Sequence, residues 1–577
     1  MDDLKPAWIQ RSDLLAEPVV ALYALAQPES ISAMGLALAD AQTTDLAGDW
    51  RGRIRAAAAL ATQQLEQARR SETDSRVRED VAILLDAARK VRRGVDVEDA
   101  NVLALVDVPR IAFKGIRVLL DQQNPVERKR LALARLRRYA GLEPGSVALA
   151  VSAEADTRAR LRQPGLAGPY DVEVRTSLGL APVLVDGIGD LMRSSGLDGW
   201  EDAFAAFRAQ CTAYAAFVER EVLPHARADH RLPPAVYAER LERVGVDIPP
   251  AELSALAHAA FDAIQAEMQT LAPLVADELG LTSVDYRTVI RDLKRRQIHG
   301  GADAIVAFYR KRLDELEAIV RRENLLTLPD RPARIRVASL AESAESPVAH
   351  MNPAPLVGNT GQVGEFVLPL DVPPAAGADP KLVERSDDFT HDAITWTLTA
   401  HEARPGHEVQ FDRMVEGDLS LARAVFAYNS VNVEGWALYA EQVMLQYMPR
   451  AGQLCSLQMR LHRAARAFLD PELQSGAIGP ADAQAFLERE LVFSPTFARS
   501  EVERYTFRAP GQATSYFYGY TKLVALRAET EKALGSAFDA CAFHDFILDQ
   551  GLIPPAALRT AVLERFVSAG PAAAPPS

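Results

Sequence analysis

The sequence predicts a mainly α protein with one small antiparallel β-sheet. Apolar residues recur at three- and four-residue spacing over most of the chain, which is the period of an amphipathic helix. Short breaks containing proline or glycine separate these segments, as expected at helix ends. Residues 333–370 instead alternate in polarity in two places, and this alternation favours strands.

Length and composition indicate a globular protein of more than one lobe. The chain has 577 residues, of which 48% are hydrophobic and 25% are charged, and this length exceeds that of a usual single domain. We expect a helical N-terminal lobe at 1–232, a second lobe at 233–568 that contains the sheet, and a disordered tail at 569–577.

Charge and cysteine content exclude several classes of protein. A net charge of -14 argues against nucleic-acid binding, which requires clustered positive charge. Three widely separated cysteines exclude a dense disulfide framework and a thiolate zinc cluster. No apolar run of about 18 residues occurs, so no membrane span is expected. The acidic start predicts a cytoplasmic location, or a periplasmic or secreted one if a leader has been removed. Oligomeric state is left open.

The individual elements follow from these patterns. Amphipathic periodicity predicts helices at 50–70, 77–93, 126–140, 198–222, 234–244, 250–272 and 301–322. Strands are predicted at 334–337 and 364–368, separated by a loop at 347–361 that is rich in proline, asparagine and glycine. A further loop at 371–388 precedes a helix at 389–400, which leads into the most informative stretch of the chain.

That stretch is HEARPGH, from His401 to His407. Two imidazoles beside a carboxylate are typical of a divalent-metal site that activates water. In the common HExxH signature the histidines are four residues apart and share one face of a helix. Here they are six apart, which on an ideal helix places them about 9 Å apart along the axis and about 120° around it.

Pro405 and Gly406 offer a solution to this mismatch. Proline removes a helix hydrogen bond and glycine accepts unusual backbone angles, so together they permit a bulge or kink. We therefore predict a distorted helix that brings His401 and His407 to one metal ion. Glu402 would then act as the general base on the activated water.

A third ligand is expected from the later stretch VEGWALYAE, residues 433–441. Glu434 is the natural candidate. Glu441 shares its helical face and could accept a hydrogen bond from a ligating histidine. Two alternatives remain: Glu408 could replace His407 as a ligand, or both motifs could be a polar turn followed by an ordinary amphipathic helix.

These two motifs resemble those of the bacterial domain-of-unknown-function family 885, whose pattern is HEAxPGHHxQ followed by EGWAxYxE. The resemblance runs from about residue 233 to 560, and the family looks related to gluzincin-type zinc metallopeptidases. It implies a large helical metallopeptidase-like fold, one zinc ion per chain bound by His401, His407 and Glu434, and catalysis by Glu402. Where many members have a second histidine, this chain has Glu408, which favours His407 as the ligand.

Further candidates lie between residues 504 and 527, where aromatic and polar residues concentrate. A tyrosine hydroxyl can donate to the oxyanion formed during hydrolysis, and Tyr516 is the first candidate. Tyr520 is the second, and we also assign it to substrate binding. Gln512, Arg504 and Arg527 are further substrate-binding candidates, since arginine can clamp a peptide carboxylate. The alternative for each is a purely structural role.

The sequence thus predicts a zinc-dependent peptidase that hydrolyses short peptides. An amidohydrolase acting on a non-peptide amide would use the same site chemistry. A non-catalytic binding protein that retains a structural metal is the third possibility. Loss of Glu402 or of a ligand would favour the third, and neither is lost here.

Overall fold

A computed structural model of the chain describes residues 5–374 and 383–568. The described part is mainly α-helical, with a few short strands, as predicted. The predicted tail at 569–577 and part of the predicted loop at 371–388 lie outside the described residues.

The first part of the chain is entirely helical where it is described. Its α-helices are α1 (Ala7–Ala26), α2 (Pro28–Ala33), α3 (Trp50–Ser71), α4 (Ser75–Asn101), α5 (Val108–Leu119), α6 (Val126–Tyr139), α7 (Leu149–Leu161), α8 (Asp171–Ser194) and α9 (Glu201–Phe217). Aspartates cap the N-termini of α3, α4 and α5, because their carboxylates accept the free backbone N–H groups there.

The middle of the chain combines helices with short strands. These elements are α10 (Pro234–Val244), α11 (Pro250–Leu279), α12 (Tyr286–Arg295), α13 (Gly301–Arg322), β1 (Arg334–Val337), α14 (Leu340–Glu345), β2 (His350–Asn352), β3 (Glu365–Leu368), β4 (Asp371–Val372) and β5 (Glu384–Arg385). The helices predicted at 50–70, 77–93, 126–140, 198–222, 234–244, 250–272 and 301–322 are confirmed. The boundaries of α10 and α13 are as predicted, those of α3 and α6 differ by one residue at one end, and those of α4, α9 and α11 differ by more.

The remaining α-helices are α15 (Asp392–Glu402), α16 (His407–Glu416), α17 (Ser430–Met444), α18 (Arg450–Ser475), α19 (Pro480–Glu490), α20 (Pro495–Glu503), α21 (Thr514–Leu534), α22 (Ala540–Leu548) and α23 (Pro555–Ala561). π-Helical segments occur at Val218–Val222, Ala422–Phe426, Arg504–Arg508 and Val562–Val567. Short 3-10 turns occur at Ala37–Ala39, Leu223–His225, Leu445–Tyr447 and Gly535–Ala537.

The main sheet is mixed rather than antiparallel throughout, which corrects the predicted sheet. β3 lies in the centre, with β2 antiparallel on one side and β1 parallel on the other. The segment between β1 and β3, which contains α14 and β2, is long enough to return the chain to the same end of the sheet, as a parallel pair requires. β2 falls within 347–361, which the sequence predicted to be loop throughout.

Three clusters of buried apolar side chains form the core. One joins α10–α13, the sheet, α15 and α18–α21. A second joins α1, α3 and α4 to α16, α17 and the last helices, so residues on both sides of position 232 share a core. The third lies among α5–α9 and α14. Among the described residues, no helix is both long and apolar enough to cross a lipid bilayer.

Helices α17 and α21 approach each other through glycine. A Cβ on Gly435 would lie 2.7 Å from the backbone of Gly519, and one on Gly519 would lie 2.0 Å from the carbonyl oxygen of Val431. Side chains at these positions would force the helices apart. The contact therefore places the VEGWALYAE helix directly against the aromatic helix that carries Tyr516.

Candidate metal and active site

The distortion predicted from Pro405 and Gly406 is a break between two helices. α15 ends at Glu402 and α16 begins at His407. The indole Nε1 of Trp436, on α17, donates to the carbonyl oxygens of both Pro405 and Gly406 at 3.1 Å. The helix that supplies the predicted third ligand therefore also holds the break in place.

Close packing explains the glycine at this break. A Cβ on Gly406 would lie 1.9 Å from the carbonyl oxygen of His401 and 2.4 Å from that of Ala400. No side chain fits this space, so the chain can fold back onto the end of α15 only with glycine at 406. The Arg404–Pro405 peptide bond within the break is cis.

The break brings the two imidazoles together, as predicted. The rings of His401 and His407 are nearly perpendicular, with centroids 4.8 Å apart. Their Nε2 atoms lie 3.7 Å and 3.4 Å from the same oxygen, Oε2 of Glu434. This oxygen is enclosed and has no hydrogen-bond partner among the described residues. Two nitrogens and one carboxylate oxygen thus face one point.

Glu402 lies beside the same two imidazoles. One of its carboxylate oxygens and one ring nitrogen from each of His401 and His407 all lie within 4.8 Å of one another. All three side chains are buried. The cluster therefore holds two carboxylates, Glu402 and Glu434, beside two imidazoles, which are enough groups for three ligands and a base.

Glu441 takes the position predicted from its helical face. Its carboxylate accepts a hydrogen bond from Nδ1 of His401 at 2.7 Å and another from the hydroxyl of Thr397 at 2.5 Å. Nη2 of Arg463 lies 3.6 Å away. Burial alone would raise the pKa of Glu441, but Arg463 and His401 lower it. The ionised Glu441 keeps the proton of His401 on Nδ1, which leaves Nε2 free to act as a ligand.

The electrostatics of the cluster favour a cation at its centre. Burial would lower the pKa of His401, but Glu434 and Glu441 raise it to about 9. Burial would raise the pKa of Glu434, yet His401 and His407 lower it well below its usual range. Positive charge between these groups is therefore stabilised. A proton and a divalent metal compete for such a position, because a histidine ligand must be neutral.

Tyr516 lies beside the cluster. Its ring is nearly parallel to that of His401, with centroids 6.3 Å apart, and its hydroxyl oxygen is 3.4 Å from Nη1 of Arg504. Burial, followed by the charge of Glu434, raises its pKa. The phenol therefore stays protonated at neutral pH and can donate a hydrogen bond.

Gln512 contacts a predicted ligand directly. Its Nε2 donates to the hydroxyl of Ser430 at 3.1 Å and lies 3.5 Å from Oε1 of Glu434. Its Oε1 accepts from Nη1 of Arg504 at 3.0 Å. The structure thus brings Gln512, Arg504 and Tyr516 together beside Glu434, and it places Gln512 where it contacts this predicted ligand.

The structure does not bring Tyr520 or Arg527 to the imidazoles. The hydroxyl of Tyr520 donates to Oε1 of Gln442 at 3.2 Å. Nη1 of Arg527 donates to the hydroxyl of Tyr439 at 2.7 Å. Arg527 lies eleven residues after Tyr516 on α21, which corresponds to about 16 Å along the helix. Substrate binding by these two residues stays a prediction.

Sequence reasoning missed Tyr428, which lies where the site meets a large cavity. Its side chain is 49% exposed and lines a cavity of about 1280 Å³ that also touches Ser430 and Gln512. The hydroxyl end of the ring is enclosed even though the rest of the residue is exposed, and this burial, together with the charges of Glu434 and Tyr516, raises the pKa of the phenol. Helices α1–α4 form the far wall of this cavity. In the sequence, only the position of Tyr428 just before α17 could have indicated that it lies near the site.

Fold and site together define a mainly helical protein with a buried cluster of two histidines and two glutamates suited to a divalent metal. The chain belongs to the family described as bacterial protein of unknown function (DUF885), which matches residues 28–562. The resemblance expected from about residue 233 therefore extends through nearly all of the N-terminal helices. No curated protein matches the chain.

Two solved structures share this fold. A "putative lipoprotein" from Colwellia psychrerythraea aligns with a TM-score of 0.77 at 18% identity, covering 96% of this chain and 99% of its own. A "putative lipoprotein of unknown function" from Shewanella oneidensis aligns with a TM-score of 0.72 at 20% identity, covering 97% of this chain and all of its own. At these identities the similarity establishes the fold alone.

Proposed function

We propose that this protein is a zinc-dependent peptidase that hydrolyses short peptides. One observation carries the proposal: Nε2 of His401 and Nε2 of His407 lie within 3.7 Å of the same unpaired oxygen of Glu434, with Glu402 beside them. Two imidazoles and one carboxylate are a common ligand set for catalytic zinc. The fourth group, Glu402, is then available as a base.

The buried polar atoms fit a metal ion at this point. An enclosed carboxylate oxygen without a hydrogen-bond donor costs about 1–3 kcal/mol or more, and a cation removes that cost. Oε2 of Glu434 is such an atom. His401 presents Nε2 because Glu441 accepts the hydrogen bond from its Nδ1. When bound, zinc would supply Lewis acidity toward a carbonyl group and toward water.

In the proposed hydrolysis, Glu402 transfers the proton and Tyr516 stabilises the oxyanion. Glu402 accepts a proton from the attacking water and transfers it to the leaving amine as the C–N bond breaks. The hydroxyl of the water stays on the acyl carbon, so the products are a carboxylic acid and an amine. Tyr516, protonated because burial and Glu434 raise its pKa, donates to the oxyanion.

The adjacent cavity supports peptides as substrates. Its volume of about 1280 Å³ exceeds the 300–1,000 Å³ usual for small-molecule pockets, and its walls carry both aromatic and charged side chains. Tyr428, Ser430 and Gln512 connect it to the cluster. A chain of a few residues fits this volume, while the enclosed imidazoles exclude a folded protein surface.

Digestion of a peptide library, followed by mass spectrometry, tests the proposal. Wild type and Glu402→Gln would be compared after zinc loading, with Glu416→Gln as a control because Glu416 is an exposed carboxylate on α16. We expect wild type and Glu416→Gln to cleave peptides equally. We expect Glu402→Gln to retain zinc and lose activity by about 10²–10⁴-fold, the usual contribution of a general base.

Each other outcome has a definite meaning. Absence of stoichiometric zinc from the wild type removes the central claim. Retained activity in Glu402→Gln removes only the assignment of the base. A zinc-loaded wild type that cleaves no peptide excludes a peptidase and leaves the non-peptide amidohydrolase or the binding protein.

The cellular location belongs to the same proposal. A cytoplasmic location stays our prediction from the sequence, whereas the descriptions of the two solved structures name lipoproteins. Cell fractionation with an antibody against the native protein distinguishes a cytoplasmic enzyme from one in the cell envelope.

A further inference from the structure

We propose that Arg504 binds the free C-terminal carboxylate of the substrate, so that the protein removes the last residue of a short peptide. This inference rests on the proposed peptidase function and adds a substrate class, peptides with an unblocked C-terminus. It selects one of the two arginines that the sequence offered for this role.

The first argument is the way in which Arg504 is held. Its Nη1 donates to Oε1 of Gln512 at 3.0 Å and lies 3.4 Å from the hydroxyl oxygen of Tyr516. Among the described residues, its Nη2 has no hydrogen-bond partner, and this nitrogen is not among the enclosed unpaired atoms. Because 18% of the side chain is accessible, Arg504 is fixed on one edge and free on the other.

The second argument is an imbalance of charge around Tyr516. Arg466 lies 4.4 Å from the centre of the Tyr516 ring and forms two hydrogen bonds of 2.7 Å with the buried carboxylate of Glu501. The nearest carboxylate to Arg504 is this same Glu501, 3.6 Å from its Nε. Glu501 already has a bidentate partner, so Arg504 lacks a carboxylate of its own.

A carboxylate from outside the chain would supply the missing partner. A guanidinium presents its N–H groups in a planar fork that matches the two oxygens of a carboxylate. Because most of the Arg504 side chain is shielded from solvent, salt and water screen its attraction to such a partner only weakly. A peptide C-terminus carries this group and is present on every unblocked peptide.

The third argument is position. Arg504 lies 3.4 Å from the hydroxyl of Tyr516, the proposed oxyanion donor, and Gln512 links it to Glu434 of the cluster. Consecutive Cα atoms in a peptide are about 3.8 Å apart, so a guanidinium that adjoins the oxyanion donor is within reach of the residue directly after the bond that breaks. Arg504 therefore recognises a single terminal residue, which leaves as a free amino acid.

The cavity accommodates the other end of the peptide. Gln512 faces Arg504 through its Oε1 and also lines the cavity of about 1280 Å³, whereas Arg504 does not line it. A peptide with its carboxylate at Arg504 thus extends its preceding residues past Gln512 and Tyr428 into the cavity. This orientation gives cleavage from the C-terminus.

Binding to the inactive protein tests this inference without relying on turnover. The probe is N-acetyl-trialanine, as the free acid and as the C-terminal amide, titrated by calorimetry into zinc-loaded Glu402→Gln. We expect the acid to bind at least ten times more tightly than the amide. In the Glu402→Gln background, Arg504→Met should remove this preference. Arg489→Met, which replaces an exposed arginine on α19, should leave it unchanged.

Arg504→Lys provides a second variant that keeps the charge but loses the fork, and it should retain part of the preference. Equal binding of acid and amide, or no measurable binding of either, overturns the inference. A preference that survives in both Arg504 variants overturns the assignment to Arg504. If the wild type cleaves neither peptide but the preference holds, the peptidase proposal fails and the carboxylate site stands.

Discussion

Replacement of Gly406 by alanine perturbs the site without touching any proposed ligand. The new Cβ would lie 1.9 Å from the carbonyl oxygen of His401, and opening this contact to 3.0 Å, below which Cβ atoms are essentially never found, requires a movement of at least about 1.1 Å. The opposing atoms belong to the backbone at the end of α15, so no flexible side chain can yield instead.

This movement is large for a metal site. Ligands generally need to stay within about 0.5 Å of their working positions, so a shift of this size at His401 separates its Nε2 from that of His407. We expect at least a tenfold loss of zinc affinity, together with about 1–3 kcal/mol of destabilisation from overpacking. Competition with a chromogenic chelator measures the affinity, and chemical unfolding of the metal-free protein measures the stability.

Gly179→Ala is the matched control. Gly179 is an exposed glycine within α8, and a Cβ there meets no atom within 4 Å. Because alanine favours helix, this variant should be slightly more stable, by up to about 1 kcal/mol, with unchanged zinc affinity. If Gly406→Ala bound zinc as tightly as the wild type, the argument that the helix break positions the ligands would be refuted.

Two further predictions concern groups beside the cluster, and a third concerns Asp470, a buried carboxylate that accepts hydrogen bonds from Tyr237 and from the backbone N–H of Gly511. Glu441→Ala leaves Nδ1 of His401 without its acceptor, and we expect a loss of zinc affinity of about 10–100-fold, measured by chelator competition. Tyr516→Phe removes the proposed oxyanion donor and should lower kcat by about 10²–10³-fold with zinc content unchanged, measured by steady-state kinetics. Asp470 predicts a pH dependence, because burial raises its pKa to about 7 while in the unfolded chain it titrates near about 3.9. The folded protein therefore holds a proton that the unfolded chain releases, and the resulting stability is full below about pH 4 and lost as pH rises through about 7. Asp470→Asn should remove this decline, seen as a flatter unfolding temperature between pH 5 and pH 8.

A different result would contradict each of these three predictions. Undiminished zinc affinity in Glu441→Ala would mean that the orientation of His401 does not depend on this hydrogen bond. Unchanged kcat in Tyr516→Phe would transfer the oxyanion role to another donor, for which Tyr428 is a candidate because its phenol interacts with Glu434 and Tyr516. A pH profile of Asp470→Asn that parallels the wild type would exclude Asp470 as the titrating group.

The cluster of two histidines and two glutamates was predictable from the sequence because its members lie in two short motifs. Six-residue spacing cannot serve one ion on a regular helix, so the spacing together with Pro405 and Gly406 required a distortion. Helical periodicity likewise placed Glu441 on the face of Glu434 and so beside His401. The distortion proved larger than a bulge, because the chain leaves one helix and starts another.

The surroundings of the cluster were not predictable in the same way. Glu501 and Arg504 are three residues apart on adjoining helical turns, but Arg466 and Tyr516 reach them from α18 and α21, and no local spacing encodes that meeting. Tyr428 gains its position from a cavity whose far wall comes from α1–α4, more than 300 residues earlier in the chain. The parallel pairing of β1 with β3 depends on the path of the connecting segment, which alternation within each strand does not specify.

Zinc content of purified variants tests the central claim most directly. Wild type, His407→Ala, Glu434→Ala and the control His258→Ala, whose half-exposed side chain pairs with Glu472, would be loaded with zinc, desalted and analysed by plasma mass spectrometry. We predict about one zinc ion per chain in the wild type and in His258→Ala, and a large loss in the other two. A wild type without stoichiometric zinc, or equal zinc in all four proteins, would contradict the account.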